Sequence, residues 1–372
     1  MECKLFGQCG ACRIYDGGYE SQLDQKVTLN KERFAKYYLG DIEVFRSPIQ
    51  NYRARSEFKI WHIDDAIYYA MNHKDHKGVV LVEECPQVNT HIAALMPKLL
   101  AAIKRYKIEC KLFGVDFLSS SSGEIVVSLL YHRQLDDIWL QNAKELAQEL
   151  GIYLIGRARK QKIVCGQDYI TETLCVKGRE YRFYHIENSF TQPNPRVNEQ
   201  MISWALDAFS SVDGDLLELY CGAGNFTIPF ASIFKKVLAT EISKSSINAA
   251  KSNMQLNGVQ NIEFIRMSVE EFVDALAGVR EFNRMKHIEI NDYTLKSVFI
   301  DPPRSGMDRF TTKFCSKFDT IVYISCNPET LYRDLEMLLQ THTIEKMALF
   351  DQFPYTHHAE MGVKLRKKGE NR

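Results

Sequence analysis

From residue 195 onward the chain alternates short apolar strands with helices, and few architectures satisfy that rhythm. A helix predicted over 196–209 leads to the apolar run LLELY (216–220), a glycine-containing turn and the helix FTIPFASIF. Strand KVLATEI (236–242), helix SSINAAKSNMQLN, strand IEFIRM (262–267) and helix VEEFVDALAG follow. Then come strand SVFID (297–301), a helix around 309–317 and strand TIVYIS (320–325). Strands this short and apolar cannot leave a face in water, so the pattern predicts a parallel sheet covered on both sides. Segments near 344–351 and 359–366 predict an antiparallel hairpin on the sheet edge. The fold class is α/β, with a doubly wound, Rossmann-like domain over 191–372.

Residues 1–190 lack that alternation. Helices are predicted over 18–39 and 90–107, and strands over 52–62, 79–83, 124–132 and 152–165, which makes an α+β module. The polar stretch NSFTQPNP, with two prolines, divides the two halves. Lys+Arg and Asp+Glu are 47 each in 372 residues, so no global field attracts a polyanion and any nucleic-acid surface must be local. The start, MECKLFGQCGAC, lacks the apolar core of a signal peptide, and the run IAALMPKLLAAI is broken by Pro97 and Lys98. Ten unevenly spaced cysteines do not form a disulfide framework. These features predict a cytoplasmic protein with no membrane partner. The absence of an apolar heptad predicts a monomer.

In doubly wound sheets, ligands sit at the carboxyl ends of the strands. The first strand of the second half runs into Glu218-Leu219-Tyr220-Cys221-Gly222-Ala223-Gly224-Asn225-Phe226. Gly222 and Gly224 permit a tight turn and close approach of a ligand. Thr227 stands where a dinucleotide fingerprint has its third glycine, which argues against NAD or FAD. Glu241, at the end of the second strand, is placed to accept hydrogen bonds from ribose hydroxyls. A nucleoside cofactor without pyrophosphate fits, and S-adenosylmethionine is the natural candidate.

Strand four ends in Asp301-Pro302-Pro303-Arg304 and strand five in Ser325-Cys326-Asn327-Pro328. An arginine after Pro-Pro, where amine methylation would want an aromatic ring, suits carbonyl oxygens or a developing enolate. Asn327 and Pro328 are good N-cap and first-turn residues, which puts Cys326 at a helix start, where a thiol pKa is expected to fall. A thiolate answers a specific need. C5 of uracil becomes nucleophilic enough to accept a methyl group once a thiolate has added to C6. A base must then remove the C5 proton, and Glu360, His357 and His358 are candidates.

At these residues the chain resembles the RNA uracil-5-methyltransferases, most closely the branch acting on tRNA. The likeness runs from about residue 18 onward through FRSPIQNYRARSEFKIWH, VVSLLYHRQLDD, LIGRARKQKI, ENSFTQPNP, GDLLELYCGAGNF, DPPRSG, YISCNPETL and LFDQFPYTHHAE. The resemblance implies Cys326 as nucleophile and Glu360 as the base. It also implies S-adenosylmethionine contacts from Gln192, Tyr220, Asn225, Glu241 and Asp301. The implied substrate is the T-loop uridine of tRNA, converted to ribothymidine, and related RNAs with that loop such as tmRNA.

The segment 1–15 departs from the tRNA branch. Cys3, Cys9 and Cys12, with Cys85 downstream, are similar to the iron–sulfur cysteines of the sister family that methylates ribosomal RNA, which implies a [4Fe–4S] cluster. Zinc and unligated thiols compete for that reading. Ribosomal RNA therefore stands as the alternative substrate. A tRNA-folding chaperone is the alternative class. For RNA binding, Arg53, Arg55, Lys59 and Trp61 alternate on one strand face, and Arg157, Arg159, Lys160 and Lys162 form a second basic group.

Overall fold

The computed structural model describes residues 1–210 and 212–369. Its centre is an eight-stranded sheet in the order Ile42–Phe45, His342–Phe350, Glu360–Lys367, Thr320–Ser325, Leu295–Ile300, Asp215–Leu219, Val237–Glu241, Ile262–Arg266. The last five strands are mutually parallel. The chain runs outward from Asp215–Leu219 in one direction, then returns and continues from Leu295–Ile300 in the other. The strand order therefore reverses between these two, and their carboxyl ends flank a crevice. Both faces are packed, one beneath the helices Pro195–Ala208 and Lys244–Leu256, the other beneath Gly18–Phe34, Arg309–Cys315 and Pro328–Leu338.

The predicted hairpin is present, but it is not the outermost pair. Glu360–Lys367 runs antiparallel to both its neighbours, and Ile42–Phe45 adds parallel to His342–Phe350 beyond it. Gly362 permits this insertion, because a Cβ there would meet Trp204 at 2.8 Å and Phe350 at 3.0 Å.

The remaining N-terminal residues build a seven-stranded sheet in the order Val79–Leu81, Ala66–Asn72, Arg55–Ile63, Leu112–Ser119, Ile125–Tyr131, Tyr153–Ala158, Gln161–Cys165. Helices Thr90–Arg105 and Asp137–Leu150 bury one face of it. Asn89 and Asp136 cap them, each accepting a backbone N–H three residues on. The stretch 152–165, predicted as one strand, is a hairpin. Its turn places Lys160 at φ 59°, a conformation that no glycine or asparagine announces in the sequence. A further hairpin, Tyr169–Val176 with Arg179–Ile186, packs on the helices Pro195–Ala208 and Lys244–Leu256.

Packing thus crosses the polar stretch at 190 in both directions. Strand Ile42–Phe45 belongs to the large sheet, the helix Gly18–Phe34 packs on its face, and the separate hairpin ending at Ile186 packs on the helices that cover its other face. The tie from the N-terminal side is polar as well as apolar. Lys26 Nζ, buried on the helix Gly18–Phe34, reaches Asp351 Oδ1 at 2.7 Å and the carbonyl of Phe353 at 2.8 Å. Gln22 donates to the other oxygen of Asp351 and accepts from the backbone N–H of Tyr355. Tyr52 donates to the carbonyl of Pro354. No helix among the described residues is long and apolar enough to cross a membrane.

Removing one partner of a buried ion pair strands the other without water. Lys26→Met should lower the unfolding free energy by about 3 kcal/mol in urea titrations. A loss below about 1 kcal/mol would show that Gln22 alone satisfies Asp351.

Candidate active site at the strand reversal

Three neighbouring strands end at the same edge and deliver three reactive groups. Ile300 pairs with Tyr323, and Ser325 pairs with Met361. One residue beyond these pairings come Asp301 and Cys326, with Glu360 the residue before Met361. Because Glu360–Lys367 runs antiparallel, its first residue meets the last residues of Thr320–Ser325. Register alone brings the cysteine to the glutamate.

Asn327 accepts a hydrogen bond from the N–H of Glu329 and starts the helix Pro328–Leu338. Its Nδ2 donates to the carbonyl of Arg304 at 3.1 Å, so the loop after Asp301 is tied beside Cys326. The buried carboxylate of Asp334 completes that loop, accepting from Met307 N–H, the Tyr323 hydroxyl and Arg333. Gly306, at φ 72°, is required there, since a Cβ would approach Thr330 Cβ at 2.8 Å and Asp334 Oδ2 at 2.9 Å.

The electrostatics correct one expectation. The start of a helix was expected to lower the Cys326 pKa. Burial instead pushes the thiol up to about 11, with the charges of Glu360 and Asp301 adding to the rise; a backbone hydrogen bond and the Arg304 guanidinium oppose it. Desolvation and two carboxyl neighbours outweigh the helix start. Glu360 is buried, and burial followed by the proximity of Asp301 raises it to about 8. Burial raises Asp301 to about 7. The cysteine rests as a neutral thiol between two carboxyl groups that titrate near neutrality. His357 and His358 are exposed and lie short of this cluster in the chain.

The other predicted residues surround the crevice. Tyr220 adopts φ 62°, followed by Gly222 at 54° and Gly224 at 87°, so the turn after Asp215–Leu219 is left-handed at three positions. The tyrosine accepts conformational strain that glycine would avoid. A Cβ on Gly222 would meet nothing within 4 Å, which leaves the backbone open on that side. Glu241 accepts from the N–H groups of Gly222 (3.2 Å) and Ser243 (2.7 Å), fixing its carboxylate across the turn. Asn225 exchanges two hydrogen bonds with Asn198. Gln192 is buried and accepts from Gln352 Nε2 at 2.8 Å.

Buried acceptors without partners mark the same region. One of them is Gln352 Oε1. Burial holds Glu218 well above the usual carboxylate range, whereas Thr227 lies close enough for its hydroxyl to oppose that rise. The unpartnered Gln352 oxygen next to Gln192, together with the Glu241 carboxylate at the open glycine turn, fits a ligand bearing amino and hydroxyl donors, as S-adenosylmethionine does. Glu218, Gln352 and the Lys26–Asp351 pair were not singled out from the sequence. Gln352 and Asp351 lie inside LFDQFPYTHHAE, where attention fell on Glu360 and the two histidines.

The cysteine segment behaves differently. Cys3, Cys9, Cys12 and Cys85 line one cavity, and Gln87 Nε2 donates to Cys12 Sγ at 2.8 Å. No set of three or more His, Cys, Asp or Glu side chains among the described residues is arranged to hold a metal ion. The four thiols are nonetheless gathered in one place, since burial first and then the neighbouring Cys85, Cys9 and Cys3 push the Cys12 thiol up to about 12. The basic group at 157–162 is also less available than its sequence implies. Arg157 and Lys162 both pair with Glu187, and Lys162 also pairs with Asp168.

Comparison with known proteins gives a consistent picture. Residues 18–368 match the tRNA (Uracil-5-)-methyltransferase family. A tRNA/tmRNA (uracil-C(5))-methyltransferase of Sulfurimonas denitrificans is 68% identical over 369 residues, covering 99% of this chain and 100% of that protein. One from Nitratiruptor sp. is 51% identical, covering 98% and 99%. The crystal structure of Pyrococcus abyssi tRNA (uracil-54, C5)-methyltransferase with S-adenosyl-L-homocysteine shares the fold, with a TM-score of 0.71 at 24% identity over 94% of this chain and 83% of that one.

The raised thiol can be measured directly. Iodoacetamide labelling of Cys326, followed by mass spectrometry across pH, should show an inflection well above pH 9. In Glu360→Gln the inflection should move down, because an anionic neighbour has been removed. An unchanged or higher inflection in the variant would contradict the electrostatic assignment.

Proposed function

Because the chain belongs to the tRNA (uracil-5-)-methyltransferase family, we propose that it methylates C5 of the T-loop uridine of tRNA, and of tmRNA, with S-adenosylmethionine as the methyl donor. The observation that carries this reading is the meeting of Cys326 and Glu360 at one sheet edge beside the open turn at Gly222. The whole-length relatives are named for tRNA and tmRNA, which supports that substrate over ribosomal RNA. The protein acts as a cytoplasmic monomer.

When bound, S-adenosylmethionine supplies an electrophilic methyl group on sulfonium. Gln192, Tyr220, Asn225, Glu241 and Asp301 would hold it, with Gln352 offering its unpartnered oxygen. Before it can add to the ring, Cys326 must lose its proton. Ionised Asp301, a carboxyl neighbour raised only to about 7, takes that proton, which leaves Glu360 available for the later step. The thiolate then forms a bond to C6, and the C5=C6 electron pair moves toward C5 and O4. Asn327 ties the Arg304 backbone beside the cysteine, and the Arg304 charge, which already opposes the rise of the Cys326 pKa, favours that enolate-like state. After methylation, C5 carries both a methyl group and its original proton. Glu360 in its ionised form takes that proton, the double bond re-forms, and the C6–S bond breaks to return the thiolate.

The target base has to leave its stack to reach a sheet edge. The N-terminal sheet flanks the crevice and offers Arg53 and Arg55, which have no carboxylate partner among the described residues, for backbone contact.

Purified protein, tritiated S-adenosylmethionine and unmodified tRNA should give methyl incorporation that disappears in a T-loop U→C transcript. Cys326→Ala should abolish it. Glu360→Gln should slow turnover at least a hundredfold while a covalent protein–RNA adduct accumulates on denaturing gels. Since Glu360 must be ionised and its carboxyl sits near 8, the rate of adduct resolution should rise with pH through that value. Labelling of ribosomal RNA with none of tRNA would overturn the substrate assignment.

A further inference from the structure

A cavity of about 910 Å³ lies beside the active-site loop, outside the cofactor crevice. One of its walls is the segment from Met1 to Arg13, which precedes residues 18–368 matched by the family. That wall is fastened to the loop leading into Glu360. The N–H groups of Arg13 and Ile14 donate to the carbonyl of Tyr355 at 2.7 and 3.1 Å. Phe6 stacks on Tyr15 with centroids 5.0 Å apart and packs against Tyr355 at 5.9 Å.

The lining combines apolar surface with unbalanced positive charge. Phe6, Phe190 and Phe353 supply rings, and Phe190 is 77% exposed. Arg13, Arg53 and Arg55 supply three guanidinium groups. Among the described residues none of the three pairs with a carboxylate. Their hydrogen bonds go to the carbonyls of Lys74, Arg55 and Ser189 respectively. Of the two glutamates lining the cavity, Glu84 is paired with Lys4. Rings with unpaired guanidinium groups are the surface that a phosphate-bearing nucleotide requires.

We propose that this cavity receives a nucleotide of the RNA flanking the extruded uridine, with its phosphate on Arg13, Arg53 and Arg55 and its base against the phenylalanines. The proposal rests on the methyltransferase reading above. Extruding the uridine splays the backbone on either side of it, and the cavity adjoins both Thr191, next to Gln192, and the Thr356–His358 stretch that precedes Glu360. The N-terminal segment thereby becomes part of the substrate site. Its cysteines, lining the same space, report on occupancy.

The test uses the full chain and an unmodified T-loop stem–loop RNA. Arg13 is exposed, so its replacement leaves the core intact. Arg13→Gln should weaken RNA binding about tenfold at moderate salt and reduce the slope of log affinity against log salt by about 0.7–0.9, as loss of one phosphate contact does. Arg13→Lys should restore the slope. The RNA should also slow iodoacetamide labelling of Cys3 and Cys9 in the wild type. A wild type that methylates the RNA, while Arg13→Gln keeps the same slope and the cysteines stay unprotected, would overturn the cavity assignment alone. A wild type that neither binds nor methylates the RNA would overturn the methyltransferase reading and the cavity assignment with it.

Discussion

The site depends on one topological choice, the insertion of Glu360–Lys367 antiparallel between Thr320–Ser325 and His342–Phe350. In an all-parallel sheet, every strand presents its carboxyl end at the ligand crevice, so each contributes the residue that follows it. An antiparallel strand presents its first residue there instead. Glu360 thus comes to the edge from the opposite chain direction, next to Cys326, without either group needing a long loop. Ladder hydrogen bonds fix this pairing, and the close approach of Gly362 to Trp204 and Phe350 makes it sensitive to any added side chain. A register slip of one residue would turn Glu360 to the other face of the sheet.

Placing that glutamate at a buried edge has an electrostatic consequence. Glu218, Asp301, Glu360 and the Cys326 thiol all have raised pKa values, and burial is the first cause for each. A carboxyl whose folded pKa exceeds its unfolded value binds more protons when folded. Its contribution to stability therefore falls as pH rises from the ordinary carboxylate range toward the raised value. Near neutrality Glu360, raised to about 8, is mostly protonated and Asp301, raised to about 7, is about half so, which limits the cost of burying them. The same property serves the chemistry: a base titrating near 8 accepts a carbon-bound proton more readily than one titrating at 4.5. Function and instability share a cause here.

The legibility of this arrangement in the sequence was uneven, for physical reasons. The parallel strands could be read because strands buried on both faces are nearly continuously apolar, as TIVYIS is and as LLELY is but for Glu218. The glycine turn and the helix start at Asn327 were read from residues with few other conformational uses. The strands 66–72 and 169–186 are not legible because half-exposed strands carry mixed residues, the mostly buried 112–119 is interrupted by Gly114 and Asp116, and the turn at Lys160 uses no marker residue. The thiol pKa was misjudged because one local feature, the helix start, was visible, whereas the two carboxyl groups that oppose it arrive from strands 25 and 34 residues away (326 − 301 and 360 − 326). Spatial charge is not written in local sequence.

One signal was present and passed over. On the helix Gly18–Phe34 the buried positions are Tyr19, Gln22, Leu23, Lys26, Asn30 and Phe34, the spacing of a core-facing stripe. A lysine and two amides at such positions demand partners, because an unpaired buried charge is untenable. For Gln22 and Lys26 those partners are Asp351, Phe353 and Tyr355, in the loop that carries the chain to Glu360, while Asn30 is satisfied within its own helix by the Lys26 carbonyl and Arg33. The loop also receives the N–H groups of Arg13 and Ile14 and the hydroxyl of Tyr52. Every one of these donors and acceptors comes from the first 52 residues. Polar groups in the helix stripe thus specify where the loop sits, as apolar ones could not, since a hydrophobic contact fixes distance but not direction. The N-terminal part of the chain therefore does more than flank the crevice: through buried hydrogen bonds it sets the position from which the proposed base enters the active site.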